Sequence, residues 1–146
     1  VACGGDEEET APAAVATSAP DQGPAVSGIT RREGNVVDFT LNAIGGGSTL
    51  STKSNLHNTA PFAYDITEMT FNVGDTVNFT VVPYGDGTER ALRDRHTFVI
   101  QELGIDEEFK YGKPAIVSVT FDKPGRYRYK CYNHEGEGES GIIIVE

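Results

Sequence analysis

One cysteine and one histidine stand three positions apart near the C-terminal end of this 146-residue sequence, in "CYNHEGEGESGIIIVE" from Cys131 to Glu146. His134 is followed by Glu135, Glu137 and Glu139, alternating with glycines, and a second histidine, His96, opens the run "HTFVI". A thiolate donates charge to a metal, and imidazoles tolerate more than one oxidation state. One thiolate with two imidazoles is the trigonal donor set that suits one-electron copper chemistry, with a weaker axial group completing the coordination. Cysteine, histidine and carboxylate also suit zinc. Taken singly, a lone cysteine is usually a small core hydrophobe and a lone histidine usually structural. The spacing decides between these readings only if the chain brings the residues to one place.

The elements that must do this are strands. Val37, Phe39, Leu41 and Ala43 alternate with Asp38, Thr40 and Asn42, a half-buried strand. "MTFNVGDTVNFTVV" places Phe71 and Val73 before a Gly74-Asp75 turn, then alternates Val77, Phe79 and Val81 with polar residues. His96 shares its face with Phe98 and Ile100, and Val117, Val119 and Phe121 share another. After the Pro124-Gly125 turn, Tyr127, Tyr129 and Cys131 oppose Arg126, Arg128 and Lys130, so the thiol points inward. The final "GIIIVE" opens with a continuous apolar run and is expected to be buried on both faces or to lie at a sandwich core. No segment keeps a helical period, no repeat is evident, and short strands separated by Gly and Pro indicate an all-β antiparallel sandwich or barrel. The stretch 44–64 reads as a long irregular connection, with His57 as a surface loop residue.

Residues 1–34 read differently. Ala, Pro, Ser, Thr and the acidic run Asp6–Glu9 offer too little apolar surface to offset ordering entropy, so this segment is expected to be a disordered linker preceding a domain at 35–146. Its start, "VACGG", resembles the end of a bacterial lipoprotein signal, with Cys3 as the lipidated residue; a stray thiol in a disordered tail and a disulfide to Cys131 are the alternatives. The expected location is therefore outside the cytoplasm, with the membrane reached only through a lipid anchor. A formal charge of −10 argues against nucleic acid as a partner and for a cationic one. Asp106, Glu107 and Glu108 are expected to steer a redox protein with a basic docking surface, while Arg90, Arg93 and Arg95 oppose them.

From Val36 to Glu146 the sequence resembles the cupredoxins, the plastocyanin-like copper proteins. The resemblance rests on "VGDTV", "HTFVI" and "PGRYRYKCYNHEGEGESG". It implies a Greek-key β-sandwich that binds one copper ion through His96, Cys131 and His134. The family pattern continues from Cys-x-x-His through four residues to an axial Met, then x-Gly and an apolar strand. Here that position is Glu139; a shorter spacing would select Glu137 but puts Ser140-Gly141 out of step. The only methionine, Met69, lies far away in sequence. A carboxylate in place of the thioether implies a lower potential and a red or green colour. The expected role is one-electron transfer rather than enzymatic catalysis. The alternatives are a copper enzyme or sensor open to a small molecule such as nitric oxide, and copper storage or delivery.

Overall fold

The computed structural model describes residues 27–44, 62–84 and 95–146. Ten strands account for most of them: β1 (Gly28–Glu33), β2 (Val36–Ile44), β3 (Ala63–Tyr64), β4 (Glu68–Phe71), β5 (Thr76–Tyr84), β6 (Arg95–Ile100), β7 (Ile105–Lys110), β8 (Ala115–Thr120), β9 (Gly125–Lys130) and β10 (Ser140–Val145). Single 3-10 turns follow β6 at Gln101–Leu103 and precede β10 at Glu135–Glu137, and no α-helix occurs among the described residues. Period-two alternation produces the strands as expected: Val37, Phe39, Leu41, Val77, Phe79, Val81, Val117, Val119 and Phe121 are all buried.

The strands form two five-stranded sheets. One runs β1-β2-β5-β8 with β3 added to β2, and the other runs β4-β10-β9-β6-β7. The inner faces share one core in which Phe39, Phe71 and Phe79 meet edge to face, with ring centroids 5.5 to 5.9 Å apart. Such pairs add to the free energy gained by burying their area.

Several features depart from the sequence reading. The sheets are mixed, because β2 pairs parallel with β5 and β10 pairs parallel with β4. The intervening β3 and β4 lie in different sheets, so the chain changes sheet between β2 and β5 and returns in the same direction. The ordered domain begins before residue 35: β1 pairs antiparallel with β2, and Arg32 forms a two-pronged ion pair with the buried Asp75 at 3.0 Å. Its side chains are mostly exposed, so apolar alternation could not reveal it. Val73 lies in the turn, exposed, while Met69 and Phe71 supply the buried face of β4.

In β10 only alternate residues are fully buried, Gly141, Ile143 and Val145. Ile142 and Ile144 are half-buried opposite Arg128 and Arg126 of β9, whose aliphatic stems suit them for partial cover. Gly141 faces Tyr129 across the ladder, where an added Cβ would lie 2.2 Å from the Tyr129 ring. The glycine is required by this close approach. Tyr129 is fixed in turn by its hydroxyl, which donates to the Ile66 carbonyl.

Candidate metal centre

The centre forms where β6 and β9 stop being a regular ladder. Their paired residues are Val99 with Lys130 and Ile100 with Tyr129. One step further, the backbone N–H of Thr97 donates not to a carbonyl but to the Cys131 sulfur, at 3.4 Å. The Thr97 hydroxyl lies 3.8 Å from that sulfur and accepts the Tyr132 N–H at 2.9 Å. Asn133 adds a second tie, its amide donating to the Arg95 carbonyl at 3.1 Å. The start of β6, which carries His96, is thus bolted to the segment carrying Cys131 and His134.

The segment from Cys131 to Glu139 closes on itself. The Cys131 N–H donates to the Glu139 carbonyl at 3.0 Å, and the Glu139 N–H donates to the His134 carbonyl at 3.2 Å. Gly138, at φ 108°, supplies the left-handed turn that ends the Glu135–Glu137 helix and sets Glu139 opposite Cys131. Backbone pairing, not the count of residues alone, therefore directs Glu139 inward.

His96, Cys131, His134 and Glu139 form a group whose donor atoms all lie within 4.8 Å of one another. One carboxylate serves both imidazoles: His96 Nδ1 is 2.9 Å from Glu139 Oε1, and His134 Nδ1 is 3.0 Å from Oε2. His134 Nδ1 also lies 3.6 Å from Cys131 Sγ. The Glu139 side chain is 0% exposed and that of His96 3%, so these are not solvated turn residues. Two ligands held about 2.0–2.3 Å from one ion stand roughly 3.3–4 Å apart at tetrahedral to trigonal angles. The donor separations and the mixture of thiol, imidazole and carboxylate fit a single ion of copper or zinc type.

Charge complementarity holds the group together. Burial alone would lower the pKa of His96, but contact with the Cys131 sulfur and the Glu139 carboxylate raises it to about 9. His134 is raised for similar reasons, with Glu139 its principal partner after burial. Burial would raise Cys131 and Glu139, yet both stay below their ordinary values, Cys131 through His96 and Thr97 and Glu139 through His134 and His96. A metal needs the Nδ1 lone pairs, so its binding must displace these protons. Copper binding at neutral pH is therefore expected to release protons, and affinity should rise with pH and level off only above about 9, once His96 has lost its proton. Calorimetry in buffers of different protonation enthalpy reads this directly. For the chain without metal the sign is reversed: the stability contributed by His96 is full below its ordinary 6.5 and is lost as pH rises through about 9.

Three aromatic residues and Thr97 also belong to the centre. Phe62 stacks on His134, Phe109 on His96, and the Tyr64 hydroxyl donates to the Thr97 carbonyl at 2.9 Å. Residues 63–64 form β3 instead of continuing an irregular loop. Thr97 was accessible from its place beside His96; Phe62 and Tyr64 were not, because tertiary packing alone brings them there.

Other candidates fall elsewhere. Met69 is buried in the core, and Glu135 is ion-paired with Arg128 at 2.8 Å and Lys130 at 3.0 Å. Cys131 is a free thiol. Cys3, His57, Arg90 and Arg93 lie outside the described residues, as does the Glu137 side chain.

No protein-family profile and no curated protein matches the chain. Solved structures do. The metal-binding domain of the Streptococcus pneumoniae D39 Cu(I)-exporting P-type ATPase CopA superposes with a TM-score of 0.54 at 13% identity, covering 82% of this chain and 94% of that one. Copper nitrite reductase from Nitrosomonas europaea gives 0.54 at 24% identity over 76% of this chain, and a multi-copper oxidase from Pediococcus acidilactici gives 0.55 at 16% over 87%. The match spans only 41% and 30% of those two enzyme chains. The fold is accordingly cupredoxin-like, a β-sandwich shared with copper proteins.

Proposed function

We propose that this chain is a mononuclear copper protein that carries single electrons, with His96, Cys131 and His134 as its principal ligands and Glu139 as the axial one. The convergence of four buried donors on one point carries the reading. Bound copper would supply a couple between Cu(I) and Cu(II). The chain's own part is to hold the donors so that little moves when the charge changes. Thr97 and the backbone pairs across the 131–139 segment fix Cys131 and Glu139, and rings packed on both imidazoles fix the histidines. The N–H that Thr97 gives to the sulfur stabilises a thiolate there.

Carrier rather than enzyme is favoured by enclosure. Cys131 and Glu139 are fully buried, and Phe62 and Phe109 cover the two imidazoles. The reading includes a tether through lipidated Cys3 and a position outside the cytoplasmic membrane, supported by the "VACGG" context and the polar segment after it. It also includes a redox partner with a basic docking surface. Asp106 and Glu107 support this as exposed carboxylates on β7, whereas Glu108 is partly engaged by Arg95 at 3.6 Å.

Voltammetry of the copper-loaded protein tests the carrier reading. A reversible one-electron wave that nitric oxide leaves unchanged is expected. Loss of the wave with a new adduct absorption would instead assign the site to small-molecule chemistry.

A further inference from the structure

His134 differs from the other three members of the centre in how it is held. It lies on a turn between strands, and its side chain keeps 12% exposure where Glu139 has 0% and His96 3%. Its Nδ1 contacts the Glu139 carboxylate at 3.0 Å and Cys131 Sγ at 3.6 Å. A hydrogen bond from Nδ1 orients the ring only in the tautomer that carries a proton there. In any tautomer that presents the Nδ1 lone pair to a metal, something else must fix the imidazole plane.

The Phe62 ring is placed to do this. It lies face to face with the His134 ring, centroids 3.7 Å apart and planes inclined by 9°. The stack on His96 by Phe109 is looser, at 5.3 Å and 18°. Phe62 is itself 2% exposed and immediately precedes β3, which is anchored on two sides. Ala63 and Tyr64 pair with Ile44 and Ala43 of β2 in one sheet, and the Tyr64 hydroxyl donates at 2.9 Å to Thr97 of β6 in the other. The phenyl face is therefore presented from a clamped strand rather than a free loop. A leucine could fill similar space there, but it has no flat face with which to set the plane of an imidazole.

We propose that Phe62 is the positioning residue for His134: its stacked ring fixes the imidazole plane so that Nδ1 faces Cys131 Sγ and Glu139 Oε2, and thereby slows the loss of a bound ion. The proposal rests on the copper reading above. It extends the centre by a residue that offers no donor atom, and it assigns to the two-residue β3 the task of holding a ligand that belongs to the opposite sheet's connection.

Two measurements on Phe62→Leu, Phe62→Tyr and the unaltered chain test it. The first is the NMR shift of the His134 ring protons in the protein without copper. An upfield ring-current displacement is expected in the unaltered chain and in Phe62→Tyr, and its absence in Phe62→Leu. The second is the rate at which copper-loaded protein surrenders its ion to excess chelator. Phe62→Leu should release copper about two- to tenfold faster, the range set by the worth of a stacked aromatic pair, and Phe62→Tyr should restore slow release. Equal release by all three proteins would overturn the proposal. So would equal acceleration in Phe62→Leu and Phe62→Tyr, which would mark Phe62 as a space-filling core residue. If the unaltered chain takes up no copper, the copper reading fails instead, and the ring-proton shifts still decide whether Phe62 orients His134.

Discussion

Replacing Glu139 with glutamine is expected to raise the reduction potential of the copper-loaded protein by about 130 mV. The two side chains are nearly equal in volume, so the substitution removes a charge and little else. Glu139 is fully buried and contacts both imidazoles that would share the ion with it. An ionised carboxylate is a hard ligand and an anion, and both properties favour Cu(II) over Cu(I). Unit charges about 4 Å apart interact by roughly 4 kcal/mol at an effective dielectric of 20, so a preference of about 3 kcal/mol for the oxidised ion is reasonable. For a one-electron couple that corresponds to about 130 mV.

Glu139→Met should move the potential in the same direction and shift the colour toward blue, because a weak axial thioether leaves the bond to Cys131 stronger. Glu135→Gln is the control. That carboxylate is held by Arg128 and Lys130 on the outside of the segment, and its charge is already balanced there. Its loss should shift the potential by a small fraction of the Glu139 effect. Voltammetry of the three variants checks the ordering, and equal small shifts at positions 135 and 139 would remove Glu139 from the ligand set.

Much of the placement of these residues is legible in the sequence, and the reason is periodicity. Alternation along "HTFVI" and "YRYKC" fixes the side on which His96 and Cys131 emerge, because a strand gives its side chains only two directions. Glu139 was reachable by counting from His134, and the Cys131 to Glu139 backbone pair explains why the count works. What alternation cannot convey is pairing partner and direction. The parallel β2 and β5 ladder joins segments separated by a sheet crossing, and neither strand's pattern differs from that of an antiparallel neighbour.

β1 was hidden for another reason. Its residues Thr30, Arg31 and Arg32 face solvent or form ion pairs, so it owes its place to the hairpin with β2 and the Arg32 contact with Asp75 rather than to burial of an apolar face. β10 was ambiguous in another way. Three consecutive isoleucines fit two buried faces or one face on a sandwich core, and the structure has the second, with Ile143 in the core and Ile142 and Ile144 half-covered beside arginines. Phe62 and Tyr64 carry no local signal that separates a residue packed on a metal centre from any other core aromatic.

The most direct measurement is the visible absorption of the protein titrated with Cu(II), alongside Cys131→Ser. The Cys131 sulfur is buried, receives the Thr97 N–H at 3.4 Å, and lies 3.6 Å from His134 Nδ1. Burial works to raise its pKa, but the contact with His96 and the hydrogen bonds from Thr97 keep it below the ordinary thiol value. A thiolate in that position should give an intense sulfur-to-copper charge-transfer band that saturates at one ion per chain. Serine keeps the shape but cannot supply that transition, so the band should vanish in Cys131→Ser while the His96, His134 and Glu139 donors remain. A copper-loaded protein without the band, or a Cys131→Ser variant with an unchanged spectrum, would show that Cys131 is a core thiol and that the four residues do not together hold copper.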